Sequence, residues 1–319
     1  AADIVRENQK HSSLGTVSNF LAAWNGPDKA FIRIISRNFT RSGKPYIVLS
    51  YNCLDPALLV NQLEDTHSLI LMSGTLSPGK MYLDLLGLDT RRTITAEYNS
   101  PFPANNRLNL IVPITTTQYK KRDEKMFMRI SRICSEIVNE VPGNIAIFFP
   151  SYELRNSVNY FFKNESKKVI IFEEPGLNKK ERQELIDLFK SYSGEGAVLL
   201  GAASGSFGEG IDLPGDLLKA VIVVGLPLAR PDLETQELIN YYEERFSKGW
   251  DYGYIYPAIL KSWQNSGRCI RSETDRGCVI FLDERFAWDN YKRCFPSDAQ
   301  FEITKLPVER VKEFFKVKM

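Results

Sequence analysis

Residues 219–225 read Lys-Ala-Val-Ile-Val-Val-Gly, and their centre, Val221-Ile222-Val223-Val224, decides the fold class. A strand with one wet face alternates apolar and polar residues, whereas this run does not alternate. Consecutive β-branched residues suit a strand in a parallel sheet that is covered on both faces. Similar runs recur along the chain, and strands are expected at 31–36, 46–50, 68–73, 108–113, 144–150, 168–173, 196–202, 219–225 and 277–283. Longer amphipathic patterns fill most of the gaps, predicting helices at 56–65, 79–87, 121–140, 152–163, 178–192, 232–247 and 252–266. Short β-branched runs alternating with helices make an α/β, doubly wound fold. Residues 1–28 read as helical up to a break at Gly26-Pro27. The irregular stretch Tyr98 to Arg107, with Pro101 and Pro103, marks a boundary before a larger region of at least six strands.

The composition is that of an ordinary globular chain: 319 residues, 43% hydrophobic and 25% charged. No apolar run approaches the roughly 20 residues of a membrane helix, and no secretory leader opens the sequence. Cysteines stand at 53, 134, 269, 278 and 294, an odd number with no C-x-x-C pair. This argues against a disulfide framework, a zinc site or a metal cluster, and for a reducing compartment. Net charge is +2, so a nucleic-acid partner requires a local basic face rather than bulk charge.

Two stretches imitate an ATP site. Residues 69–81, LILMSGTLSPGKM, carry nearly the P-loop spacing, with Gly74, Gly79 and Lys80. A P-loop needs backbone N–H groups around the phosphate and a hydroxyl after the lysine. Here Met81 replaces the hydroxyl and Pro78 removes an N–H. The second is Cys278 to Glu284, an apolar strand ending in Asp283-Glu284, which imitates a Walker B site. On its own it is a strand end with solvated acids. A self-contained P-loop ATPase built on Gly79 and Lys80 remains one reading, and a non-catalytic module that binds a partner is another.

Two other stretches carry more. Gly205 to Gly215, GSFGEGIDLPG, follows a predicted strand and places three glycines in its first six residues, allowing close backbone approach. A flexible strand-to-helix loop is the plain alternative. Gln264 to Arg271, QNSGRCIR, ends a predicted helix. Gln264, Arg268 and Arg271 fall at i, i+4 and i+7 and share one face if helical. A solvated face is the ordinary reading, but Gly267 inside a helix costs about 1 kcal/mol against Ala. Paired arginines aimed at one place suit a polyphosphate.

The order SGTL, FFPSY, GSFGEGID, QNSGRCIR resembles the XPD helicases of superfamily 2, across about residues 30 to 290. Ser73, Gly74 and Thr75 resemble motif III, which couples nucleotide state to DNA grip. Phe149 to Tyr152 resemble motif IV, residues 205–212 motif V, and residues 264–271 motif VI. The resemblance implies a RecA-like second motor domain over 105–319, the last part of motor domain 1 over 29–98, and the end of a helical, Arch-like insertion over 1–28. It implies ATP with Mg²⁺ bound between two motor domains. The Walker A, Walker B and iron–sulfur regions are expected upstream, with no metal held by this chain and little unaided turnover from it. Arg268 and Arg271 would act on the γ-phosphate, with Gln264 orienting phosphate or water. Glu209, Gly210, Asp212 and Gly267 would line the nucleotide side. The DNA side would use Ser151, Tyr152 and Ser206, with Arg285 as a phosphate contact. Trp250, in the polar stretch Lys248 to Tyr252, would stack on a base or else pack half-buried. The implied partners are single-stranded DNA and motor domain 1 of the same protein, with no membrane and no second copy. The implied place is intracellular, cytoplasmic if archaeal and nuclear if eukaryotic.

Overall fold

The structure, a computed structural model, describes residues 13–40, 42–63, 65–208, 217–228, 231–270 and 272–316. These fall into two compact units. The first draws on residues within Ala1–Met72, Gly79–Thr95 and Arg230–Tyr254, and the second on Ser73–Pro78, Ala96–Ala229 and Ile255–Met319. The first unit therefore takes in a segment that the domain reading by chain order assigned to 105–319. None of the helices among the described residues is long and apolar enough to cross a membrane.

The first unit opens with α1 (Ser13–Trp24), followed by the strands β1 (Phe31–Phe39) and β2 (Pro45–Cys53). The pair is an antiparallel hairpin, registered Phe31 opposite Cys53 through Phe39 opposite Pro45. The connection allows nothing else, because parallel neighbours need a crossover of about a dozen residues. The turn is closed by Thr40 N–H to the Lys44 carbonyl and Gly43 N–H to the Thr40 carbonyl, with Gly43 at φ +79°. Short helices α2 (Ala57–Val60) and α3 (Gly79–Leu85) follow. Helix α7 (Leu233–Phe246), from much later in the chain, packs against β1. Its Arg245 and the Tyr241 hydroxyl both donate to the Asp55 carboxylate, and the Tyr252 hydroxyl donates to Asp84 at 2.6 Å.

The strand expected at 68–73 does not form. Residues 68–73 are irregular, and Ile70 and Met72 are 83% and 89% exposed. β-Propensity alone does not make a strand, which needs a paired neighbour, and no described residue pairs with this run.

The second unit is built on one seven-stranded sheet in the order β5-β6-β4-β7-β8-β3-β9. Its strands are β3 (Arg107–Ile111), β4 (Ile145–Phe149), β5 (Val169–Phe172), β6 (Ala197–Ala202), β7 (Ala220–Val224), β8 (Gly277–Leu282) and β9 (Glu302–Ile303). Every pairing is parallel. The crossovers carry α4 (Glu124–Glu140), α5 (Tyr152–Phe162), α6 (Lys179–Ser191) and α8 (Tyr256–Ser266). This is the expected α/β, doubly wound, RecA-like sheet. All of Val221 to Val224 is buried, as its unbroken apolar pattern requires.

Beyond residue 283, where no element was foreseen, lie α9 (Asp289–Lys292), β9 and α10 (Pro307–Lys316). Pro307 suits the first turn of α10, where a missing N–H costs nothing. The core joins α4, α5 and α10 to one face of the sheet through Ile130, Ile137, Leu154, Phe162 and Val311. Each large apolar side chain so buried contributes about 1.5–3 kcal/mol.

Candidate functional site

In a parallel sheet all strands end on the same edge, and the loops there converge. Here the ends of β4, β5 and β6 bring together residues far apart in sequence. The Phe149 carbonyl accepts from Ala203 N–H, which ties the end of β4 to the loop after β6. Ser151 begins α5 as its N-cap, its hydroxyl accepting from Leu154 N–H at 3.2 Å. Tyr152 follows, with the Arg155 guanidinium over its ring at 5.0 Å. Burial, reinforced by the Glu173 carboxylate beside it, raises the Tyr152 phenol above its ordinary pKa. The Ser206 hydroxyl donates to Glu173 at 2.9 Å. Thus Tyr152 and Ser206 meet on one buried acid that sequence reasoning did not single out.

The loop 203–208 in turn meets α8. Asn265, wholly buried, donates from Nδ2 to the Ala203 carbonyl at 3.2 Å. Arg268 donates from Nη2 to the Gly208 carbonyl at 2.5 Å. The glycine at 208 has a steric reason: a Cβ there would stand 2.5 Å from the Ala203 carbonyl oxygen and 2.9 Å from Asn265 Oδ1. Gln264 reaches the other way, its Nε2 3.3 Å from Thr75 Oγ1. Thr75 is held in a local turn, its N–H donating to Ser73 Oγ at 3.2 Å. The motif III-like and motif VI-like stretches are therefore in direct contact through Gln264 and Thr75, while Arg268 bonds to the motif V-like stretch at Gly208 and Asn265 to Ala203 just before it.

Two expectations about α8 change. The helix stops at Ser266, and Gly267 is its cap, donating to the Trp263 carbonyl. Arg268 therefore lies past the helix, and the shared helical face with Gln264 does not exist. Nor does close approach within the described residues explain Gly267, since a Cβ there would find its nearest neighbour at 3.7 Å. Its place is a helix end, where glycine is common. Gly74 has open space around it. The expectations on Glu209, Gly210, Asp212 and Arg271 lie outside the described residues.

Arg285 does not stand on an open groove. It is buried and paired with Asp283 through Nε at 2.8 Å and Nη2 at 2.9 Å, and it also donates to Thr117 Oγ1. Asp283 accepts from Thr117 N–H as well, at 2.7 Å. The Walker B lookalike is thus a buried ion pair fastening the end of β8 to the segment after β3. Trp250 belongs to the first unit, is 52% exposed, and meets Tyr254 edge-on at 5.2 Å. Among the described residues, no group of three or more His, Cys, Asp or Glu side chains is placed to hold a metal ion.

A protein-family model described as the helicase C-terminal domain matches residues 134–301. The chain belongs to that helicase family. The family match spans β4 through β9's approach and contains the motif IV, V and VI stretches. Among curated relatives, the ATP-dependent DNA helicase CHL1 of Candida albicans is 28% identical over 295 residues, covering 81% of this chain and 35% of its own length. The probable ATP-dependent helicase MJ0942 of Methanocaldococcus jannaschii is 28% identical over 281 residues, covering 80% of this chain and 40% of its own. This helicase chain thus spans well under half the length of those relatives. Of solved structures, one titled XPD_Helicase aligns with a TM-score of 0.62 at 24% identity, over 91% of this chain and 50% of its own. Another, XPD_APO, gives 0.62 at 22% over 95% of this chain and 59% of its own. The fold is theirs, and the XPD-family resemblance read from the motifs holds.

The donor set suits a polyphosphate. Arg268 is a permanently charged planar fork, Gln264 a neutral amide, and both adjoin glycine-rich backbone. These groups fit a polyphosphate chain, and among the described residues no cluster of acids is placed to hold a cation beside them.

Proposed function

We propose that this chain is the second-motor part of an ATP-dependent 5′ to 3′ DNA helicase, forming one wall of the ATP cleft and part of a single-stranded DNA groove. The observation that carries the reading is the junction of three motifs: Gln264 on Thr75, and Arg268 on the carbonyl of Gly208. A coupling segment, a glycine loop and an arginine-bearing helix end connected by hydrogen bonds can pass a nucleotide-dependent shift from one to the next. In this mechanism Arg268 and Arg271 stabilise charge on the transferring phosphoryl group, and Gln264 orients phosphate or water. Mg²⁺ arrives with ATP and is held mostly by motor domain 1. Ser151, Tyr152 and Ser206 lie at the strand ends where backbone and hydroxyl donors meet DNA phosphates. The relatives' printed names, an ATP-dependent DNA helicase and a probable ATP-dependent helicase, support the reaction class.

The test is Arg268→Lys in the full-length protein. Lysine keeps the charge and loses the fork. ATP turnover should fall by about 10³ or more, the scale of an arginine finger. Single-stranded DNA binding without nucleotide should change by less than about tenfold, since backbone contacts dominate it. Normal turnover with lost DNA binding would place Arg268 on the DNA side and overturn the assignment.

A further inference from the structure

Glu173 follows the last residue of β5, and its side chain is completely buried. Its own backbone is set by the sheet, because Glu173 N–H donates to the Leu200 carbonyl at 3.0 Å. From there the carboxylate faces the loop after β6 and accepts on both oxygens. Oε2 accepts from Ala202 N–H at 3.0 Å. Oε1 accepts from Phe207 N–H at 2.8 Å and from the Ser206 hydroxyl at 2.9 Å. The Tyr152 phenol lies beside the same group, whose charge helps raise its pKa. The Arg155 guanidinium donates to the Glu173 backbone carbonyl rather than to the carboxylate. Two glycines make room for the acid. A Cβ on Gly201 would stand 2.7 Å from Oε2, and one on Gly205 would overlap the carboxylate.

We propose that Glu173 is the positioning residue of motif V: its buried carboxylate fixes the loop 202–208 and so sets where Ser206 and Arg268 stand. The inference rests on the helicase reading above and adds a residue outside all four motifs. A carboxylate is the only side chain here that accepts from two backbone donors and a hydroxyl without offering a donor of its own. The same loop presents the Ala203 and Gly208 carbonyls to Asn265 and Arg268. Displacing it therefore moves the DNA-side hydroxyl and the cleft-side arginine together. The acid also explains Gly205, which loop flexibility alone does not.

The decisive variant is Glu173→Gln in the full-length protein. The amide is isosteric, but whichever way it turns its NH₂ meets a backbone N–H, either Ala202 or Phe207. Loss of one such hydrogen bond should speed exchange of that amide about tenfold. DNA-stimulated kcat should fall by about 10²-fold, the cost of misplacing a reacting group, with KM for ATP changed less than about threefold. A merely structural residue would lower the melting temperature and leave kcat per folded molecule intact. If Glu173→Gln does not fold, Gly205→Ala carries the test, since its Cβ pushes the loop off an intact carboxylate and should give the same kcat loss. Unchanged exchange at both amides, or faster exchange with normal kcat, overturns the proposal. If the wild-type protein shows no DNA-stimulated turnover, the helicase reading fails, and amide exchange alone then decides whether Glu173 holds the loop.

Discussion

Lys168 donates its ammonium to the carbonyls of Val141 and Gly143, at 2.5 and 2.6 Å, and closes the turn that leads into β4. Burial pushes its pKa down to about 8. The folded state then binds fewer protons than the unfolded chain between pH 8 and the ordinary lysine pKa of 10.5. Stability contributed by this group therefore rises with pH through that window. Lys168→Met should remove the slope, leaving a mutant-minus-wild-type melting difference that grows as pH rises from 8 to 10, and a difference independent of pH would refute it. Trp250 poses a different question, because its exposed indole fits either stacking or idle surface. If it stacks on a base, Trp250→Ala should weaken single-stranded DNA binding by about 1–3 kcal/mol with the melting temperature little changed. A sharp fall in melting temperature with normal binding would make it a packing residue. At this scale the sequence was partly legible. Gln264, Arg268, Ser206 and Tyr152 drew notice because they sit in motif-like stretches, and the structure gives each of them a specific contact. Glu173 did not, since it is an acid after an apolar strand, as Asp283 is, and only the β5–β6 register brings it to the glycine loop. Arg285 misled for the same reason: sequence order cannot tell a strand-end cation that faces solvent from one that folds back on its neighbour.

Among the elements, β8 ends in the one arrangement where an imitation motif can be separated from its structural role. Asp283 holds Thr117 and Arg285, and all three are buried. Asp283→Ala leaves the Arg285 guanidinium buried without its acid, which should cost about 3–5 kcal/mol. The expected outcome is a markedly lower midpoint in denaturant with ATP affinity of the folded fraction unchanged. Lost ATP affinity at unchanged stability would instead make Asp283 a metal-bearing acid. Strands of the large sheet were legible from their β-branched runs because burial on both faces leaves an unbroken apolar pattern. Helix ends were less so. The helix expected over 252–266 does end at Ser266, but its regular α-helix begins only at Tyr256, and a face shared by Gln264 and Arg268 needed it to run on past Gly267, which ends the hydrogen-bonding ladder. Pairing direction was also hidden at 31–53, where the length of the connection, not the composition of the strands, dictates a hairpin.

For the whole molecule, the informative feature is the run Leu69 to Met72, apolar, strand-like in composition and exposed. Apolar side chains at such exposure in a row are unusual on a finished surface. The hairpin adds Ile35 and Ile47, both well exposed. The curated relatives are more than twice the length that this chain matches, 35% and 40% of each being covered. The reading of residues 29–98 as the last part of motor domain 1 supplies an occupant: upstream residues of the same protein, whose strands would pair with 68–73. Sequence reading put a strand there because the residues are those of a buried parallel strand, and among the described residues none pairs with it. The consequence can be measured at Met72, 89% exposed in this chain. Mild peroxide should oxidise Met72 readily in the 319-residue chain and at least about tenfold more slowly in the full-length protein, as expected for a thioether that is buried. Backbone amides of 69–72 should gain protection in parallel, because a strand inside a sheet opens only with its neighbours. Equal oxidation in both proteins would mean that the run stays on the surface, and that the domain boundary drawn through residues 29–98 is misplaced.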